Sequence, residues 1–141
     1  MEEHQILFYE KLEEYEKSLP QKYDREKFVL SGIKYTSILK CLSAEKGHKT
    51  VEGAKFKHWA VNNFKKTTLG EKEILICSKT DCPVVTRDEV FSVIQKCHVR
   101  TEHSGRDKTW HEVKTSYAGI RYPLIGLFIE TCSTCSTRKA L

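Results

Sequence analysis

Two histidines and two cysteines in the last third of the chain have the types and spacing of metal ligands: His98 and His103, then Cys132 and Cys135. Two imidazoles and two thiolates satisfy a four-coordinate zinc ion, and their softness favours zinc over hard, oxygen-seeking cations. Such a set is closed, with no position left for a substrate or an activated water, so the expected role is structural. The expectation is one Zn2+ that makes a small helical unit foldable. At 100° per residue, the step from His98 to His103 turns a helix by roughly 500°, so one continuous helix would not present both rings to one ion. The helix carrying His98 must therefore end before His103. Cys132 and Cys135, three apart, can face one way on a helical turn or a tight knuckle.

Other reactive side chains form no comparable set. Cys77 and Cys82 flank a turn and could open a second metal knuckle with Cys97 or His58, although two half-buried thiols explain them as simply. Cys41 reads as a core residue, His111 as a solvated position on the helix after His103, and His4 and His48 as surface. Asp88, Asp107 and Glu112 make no organised carboxylate set, and no Ser-His or Cys-His pair stands apart from the quartet. Catalysis is not expected of this chain.

Composition sets the wider bounds. The 141 residues suit one domain or two small ones. The opening, Met1-Glu2-Glu3-His4-Gln5, lacks an apolar signal stretch, and no run is long and apolar enough for a membrane span. A non-secreted chain keeps its six cysteines reduced, as core residues or metal ligands. The formal charge of +5 is uneven: from Lys96 onward eight Lys/Arg face four Asp/Glu, whereas the first twenty residues hold six glutamates and two lysines. A zinc ion bound by two thiolates adds no net charge, so the basic excess survives it. Arg100, Arg106, Lys108, Lys114, Arg121, Arg138 and Lys139 are the candidate phosphate-contacting set, and a helix start near Gly105 would add backbone donors.

The elements that must position these residues can be read in order. Phe8, Leu12 and Tyr15 mark an amphipathic helix over 4–18, ended by Leu19-Pro20; its acidic face could pair with another protein or a second copy, or simply close the local core. Asp24 is placed to cap a second helix carrying Val29, Ile33, Ile38, Leu39 and Leu42, with an interruption at Ser31-Gly32, and Thr50 to cap a third that runs through Trp59 and Val61 to Asn63. The period then shortens: Phe64–Thr67, Glu73–Ser78 and Cys82–Val85 read as a three-stranded antiparallel meander, with Pro83 at a strand start or edge. Thr86-Arg87-Asp88-Glu89 is a capping box, so a helix starts near residue 87 and places Val90, Ile94 and His98 on one face. A helix over 106–117 turns Trp110, Val113 and Tyr117 inward, Gly119 serves as its C-cap, and Pro123 opens a last apolar helix through Leu124, Ile125, Phe128 and Ile129. The fold class is α+β, divided as 1–63, helical; 64–86, meander; and 87–141, a zinc-stapled helical bundle.

The run from Cys82 to Lys139 resembles the His-His-Cys-Cys zinc-binding domain of retroelement integrases, above all those of gypsy-like elements and the host genes derived from them. The matching parts are Pro83-Val84-Val85, the helix ending at His98, the run from His103 through Ser104-Gly105 to Thr109, Tyr117, the apolar helix over Leu124–Ile129, Cys132-Ser133-Thr134-Cys135, and Arg138-Lys139. The meander resembles the small extension that precedes such domains. The resemblance implies a helix-turn-helix-like bundle held by one zinc, which contacts DNA and assists multimer assembly in the nucleus. A separate Asp-Asp-Glu core, expected after Lys139, would carry out strand transfer. One departure stands out: many members follow the tyrosine with an aromatic-Trp-Pro run, whereas Tyr117 here is followed by Ala-Gly-Ile-Arg-Tyr-Pro. The contrasting expectation is a protein–protein interaction scaffold in which zinc serves folding alone.

Overall fold

The structure, a computed structural model, describes residues 3–20, 28–43 and 53–135. Among these the fold is mixed α+β. Helices α1 (Glu3–Ser18), α2 (Gly32–Ser43) and α3 (Ala54–Asn63) lead into an antiparallel hairpin of β1 (Phe64–Leu69) and β2 (Lys72–Cys77). Then follow α4 (Arg87–Arg100), α5 (Arg106–Ser116) and α6 (Tyr122–Thr131). The apolar side chains gather into two cores.

The larger core joins the first helix to the last three. Phe8 and Leu12, one helical turn apart, are fully buried, and α1 lies against α6. The Phe8 ring meets Phe91 of α4 and Phe128 of α6 at centroid distances of 5.7 and 6.1 Å. Burying each such side chain is worth about 1.5–3 kcal/mol. His4, expected at the surface, instead packs on the same rings, 4.8 Å from Phe91 and 4.5 Å from Phe128. Polar contacts fix the register of α1. Arg87 Nη1 lies 2.6 and 2.7 Å from the two carboxylate oxygens of buried Glu16, and the Tyr9 hydroxyl donates to the Arg87 carbonyl at 2.7 Å.

The smaller core holds Leu30, Ile38, Cys41, Phe56, Ala60, Leu75 and Val84. The expected interruption at Ser31-Gly32 is where α2 begins: the Ser31 hydroxyl oxygen accepts the Lys34 N–H at 3.0 Å, an N-cap bond. The expected caps Asp24 and Thr50 lie outside the described residues. Ile33, among the apolar residues read into the second helix, and Val61 of the third are 82% and 53% exposed. Each is five residues from a core position, Ile38 and Phe56, and that step turns the side chain about 140° away from the buried face.

The meander has two strands, not three. β1 and β2 pair from Phe64↔Cys77 to Leu69↔Lys72. The third run contributes only two isolated bridges, Ile76↔Pro83 antiparallel and Val84↔Ala118 parallel. The reason lies along the outer edge of β2. The Leu75 N–H, which would bond the Val84 carbonyl in a longer ladder, is already taken by the Tyr35 hydroxyl at 2.9 Å, and Pro83 faces away from β2, its carbonyl accepting the Ala118 N–H at 2.8 Å. Bonds from Cys77 N–H to the Cys82 carbonyl (2.9 Å) and from Val84 N–H to the Leu75 carbonyl (3.1 Å) hold the run without extending the ladder. It then crosses to the helices: Val84 packs in the smaller core and Val85 in the larger.

Gly119 is also not a helix cap. α5 stops at Ser116 and Tyr117 is extended. Gly119 sits beyond it at φ +94°, where a Cβ would come 3.1 Å from the Val85 carbonyl oxygen. Its missing side chain lets the α5–α6 connection lie against residues 83–85, with the Val85 N–H bonded to the Ala118 carbonyl at 2.9 Å.

Candidate metal centre

α4 positions the first ligand. The Glu89 carboxylate accepts the Thr86 N–H at 3.3 Å and the Thr86 hydroxyl at 3.0 Å, closing the expected capping box at the helix start. Val90, Phe91, Ile94, Cys97 and His98 form its buried face, and His98 is only 1% exposed. Burial pushes the Cys97 thiol up, which marks it as an inert core group.

The end of α4 positions the second. The Glu102 N–H bonds to the Val99 carbonyl at 2.9 Å and the His103 N–H to the His98 carbonyl at 3.0 Å, the paired bonds of a Schellman motif. Glu102 and His103 take φ values of +56° and +57°, in the left-handed region. This reverses the chain at the point where an unbroken helix would carry His103 away. The helix-stopping bond thus joins one candidate ligand to the backbone of the other.

The two cysteines come from the end of α6. Cys132 is its C-cap, with its N–H bonded to the Phe128 and Ile129 carbonyls, and a fresh helical turn begins at Ser133. Pro123 stands in the first turn of α6, as expected. The two sulfurs end up on one side, 4% and 7% exposed for Cys132 and Cys135.

His98, His103, Cys132 and Cys135 offer four ligand atoms that all lie within 4.8 Å of one another. His98 Nε2 is 3.2 Å from Cys135 Sγ, and His103 Nδ1 is 3.5 Å from Cys132 Sγ. A tetrahedral ion with Zn–S near 2.3 Å and Zn–N near 2.0–2.1 Å would separate such atoms by about 3.6 Å. The quartet therefore fits one metal ion. The imidazole rings stand nearly perpendicular, at 81°, with centroids 4.6 Å apart.

Thr109 completes the arrangement, and sequence reasoning missed it. It is fully buried on α5, and its Oγ1 lies 3.0 Å from His98 Nδ1 and 3.4 Å from the Ser104 carbonyl. With the hydroxyl donating to the carbonyl, it can accept from an Nδ1–H, the tautomer that leaves the Nε2 lone pair for a metal. Outer partners of this kind fix a ligand ring's tautomer and orientation. The available signal was the spacing to Val113, four residues on and equally buried, which puts a polar residue on an apolar face.

The basic candidates are not gathered together. Arg100 and Lys108 line one open cavity of about 440 Å³ with Glu102, Asp107 and Glu112. Lys114 is exposed farther along α5, about 120° around the helix from Lys108. Arg106 packs its guanidinium 3.6 Å from where a Cβ of Gly126 would lie. Arg121 is the N-cap residue of α6; its Nε donates to the Phe28 carbonyl at 3.3 Å and its guanidinium covers the Phe28 ring. Arg138 and Lys139 lie outside the described residues.

His111 is exposed and apart from the quartet, and Cys41 is buried in the smaller core as expected. Among the described residues, Cys77 and Cys82 belong to no cluster of three or more metal-ligating side chains. No helix of the described residues is long and apolar enough to cross a membrane. No protein family, curated protein or solved structure matches the chain.

Proposed function

We propose that this chain is a non-catalytic, zinc-stapled helical module of the His-His-Cys-Cys integrase type, acting on DNA in the nucleus. The observation that carries the reading is the quartet itself: a closed, mostly buried two-nitrogen, two-sulfur site built where α4 and α6 end. Those ligands favour zinc, and a closed set contributes folding energy rather than an activated water. His98 Nε2, His103 Nδ1 and the two sulfurs would hold the ion. Its contribution would be to cross-link the ends of α4 and α6 beyond the packing that Phe91, His98 and Phe128 already supply.

Support for DNA is the net charge of +4 from Lys96 onward, together with Arg100 and Lys108 at the α4–α5 corner. The test is DNA affinity against salt concentration. A DNA module loses affinity steeply as salt rises, and Arg100→Ala with Lys108→Ala should lower the log–log slope by about 1 per phosphate contact removed. Unchanged affinity and slope in a folded double variant would refute this DNA face.

One observation favours a second reading, a protein-interaction scaffold. Arg121 and Arg106 are engaged within the chain, and Lys108 and Lys114 diverge, so the basic residues make no single stripe. On that reading no DNA binding is measured at physiological salt, while zinc dependence of folding is unchanged.

A further inference from the structure

Cys77 and Cys82 stand outside the metal centre and outside the reading above, and the backbone register places them opposite each other across the hairpin's outer edge. The antiparallel bridge Ile76↔Pro83 sets the register, which puts Cys77 directly opposite Cys82, and the Cys77 N–H bonds to the Cys82 carbonyl at 2.9 Å. Residues directly opposed in an antiparallel pair project from the same face, with Cα atoms about 5.5 Å apart when hydrogen-bonded. A disulfide needs Cα atoms within about 4.4–6.8 Å. Both side chains are half-buried, on the face that carries Leu75 and Val84. Cys82 Sγ now lies 3.5 and 3.7 Å from the Thr80 and Thr115 carbonyls. Bond formation therefore asks for side-chain rotation and no change of strand register.

The two sulfurs differ in character. Cys77 is partly desolvated, which alone would raise its pKa. The Thr80 hydroxyl, the Thr80 and Lys79 N–H groups and the Lys79 charge outweigh that and bring it below the ordinary thiol value. A thiol lowered in this way forms the attacking thiolate more readily. That cavity, about 190 Å³, is shared with Trp59, Val84, Ala118 and Gly119. No other ligand-type side chain joins the pair among the described residues, so a second metal knuckle lacks the ligands it would need.

We infer that Cys77 and Cys82 are a reversible dithiol site, oxidised by hydrogen peroxide to a cross-strand disulfide. The Cys77 thiolate attacks one peroxide oxygen; the O–O bond breaks, and the departing hydroxide takes a proton and leaves as water. The resulting sulfenic acid is attacked by the Cys82 sulfur. The S–S bond forms as the S–O bond breaks, and the hydroxyl leaves with the Cys82 proton as a second water. Two thiols lose two electrons, and the peroxide gains them. The disulfide clips β2 to the run that carries Val84 and Val85 into the two cores, so the oxidised state ties the hairpin more firmly to the helices.

The experiment is hydrogen peroxide treatment of the zinc-loaded full chain, alkylation of remaining thiols, and tryptic digestion without reductant. Trypsin cuts after Lys72, Lys79 and Arg87, which leaves one cysteine in 73–79 and one in 80–87. The expected first product is these two peptides joined, separated again by dithiothreitol, while 132–135 still holds zinc. In Cys82→Ser the Cys77 sulfenic acid should persist and be trapped by dimedone. Recovery of both peptides unlinked with Cys77 reduced, after the zinc thiolates have oxidised, would overturn the inference. So would a Cys77 found joined only to another chain.

Discussion

Val84 and Val85 are adjacent, yet one packs among α2, α3 and the hairpin and the other among α1, α4, α5 and α6. The two cores are built by different means. The smaller one is closed by a serine cap, a six-residue ladder, and the hydroxyl of Tyr35, forty positions from the strand edge it bonds. The helices of both cores are short, and the larger core, apolar and aromatic, converges on four candidate ligand side chains between the ends of α4 and α6. Short helices are marginal alone and depend on tertiary packing. A metal at this quartet would cross-link α4 and α6 across a long sequence gap, whereas the smaller core has no such ligand cluster among the described residues.

Four substitutions test that contrast. The largest effect is expected for Phe128→Ala, which removes the ring shared by His4, Phe8, Phe91 and His98 and should cost about 3–5 kcal/mol. In chemical denaturation it should also weaken metal retention. Leu75→Ala, in the other core, should cost about 2–5 kcal/mol and leave metal affinity near normal. Equal loss of metal affinity in both variants would mean that the cores are one cooperative unit.

Next in size is Thr109→Val, nearly the same shape without the hydroxyl. Competition with a chromophoric chelator should show metal affinity down by about 10–100-fold, because His98 loses the partner that orients it. An unchanged affinity would show that packing alone sets the ring. The smallest effect, and the one of opposite sign, belongs to Glu102→Gly. Glycine suits the left-handed position that Glu102 occupies at φ +56°, so the variant should gain up to about 1 kcal/mol in thermal unfolding.

The candidate ligands were legible because their residue types are rare and their spacing forces a geometric question. His98 and His103 could meet only if the helix broke between them, and it breaks there. The capping box at Thr86 and the proline at the start of α6 were equally readable, since each is a local device with its own composition. What escaped the sequence was decided by partners far along the chain. The third strand fails because a tyrosine forty positions away takes the donor that a ladder would use. His4 leaves the surface because α1 lies on α6, and Gly119 serves a close approach of Val85, not a helix end. Thr109 is chemically ordinary until His98 is placed beside it.

The most direct test of the central claim is metal content by mass spectrometry on protein purified without added metal, followed by amide hydrogen exchange with and without a chelator. Structural zinc supplies apparent binding free energy on the order of 10 kcal/mol. The account predicts one zinc per chain, and on chelation a loss of protection in α4, α5 and α6 that exceeds any loss in β1 and β2. A metal-free chain whose exchange pattern is unchanged by chelator would contradict it.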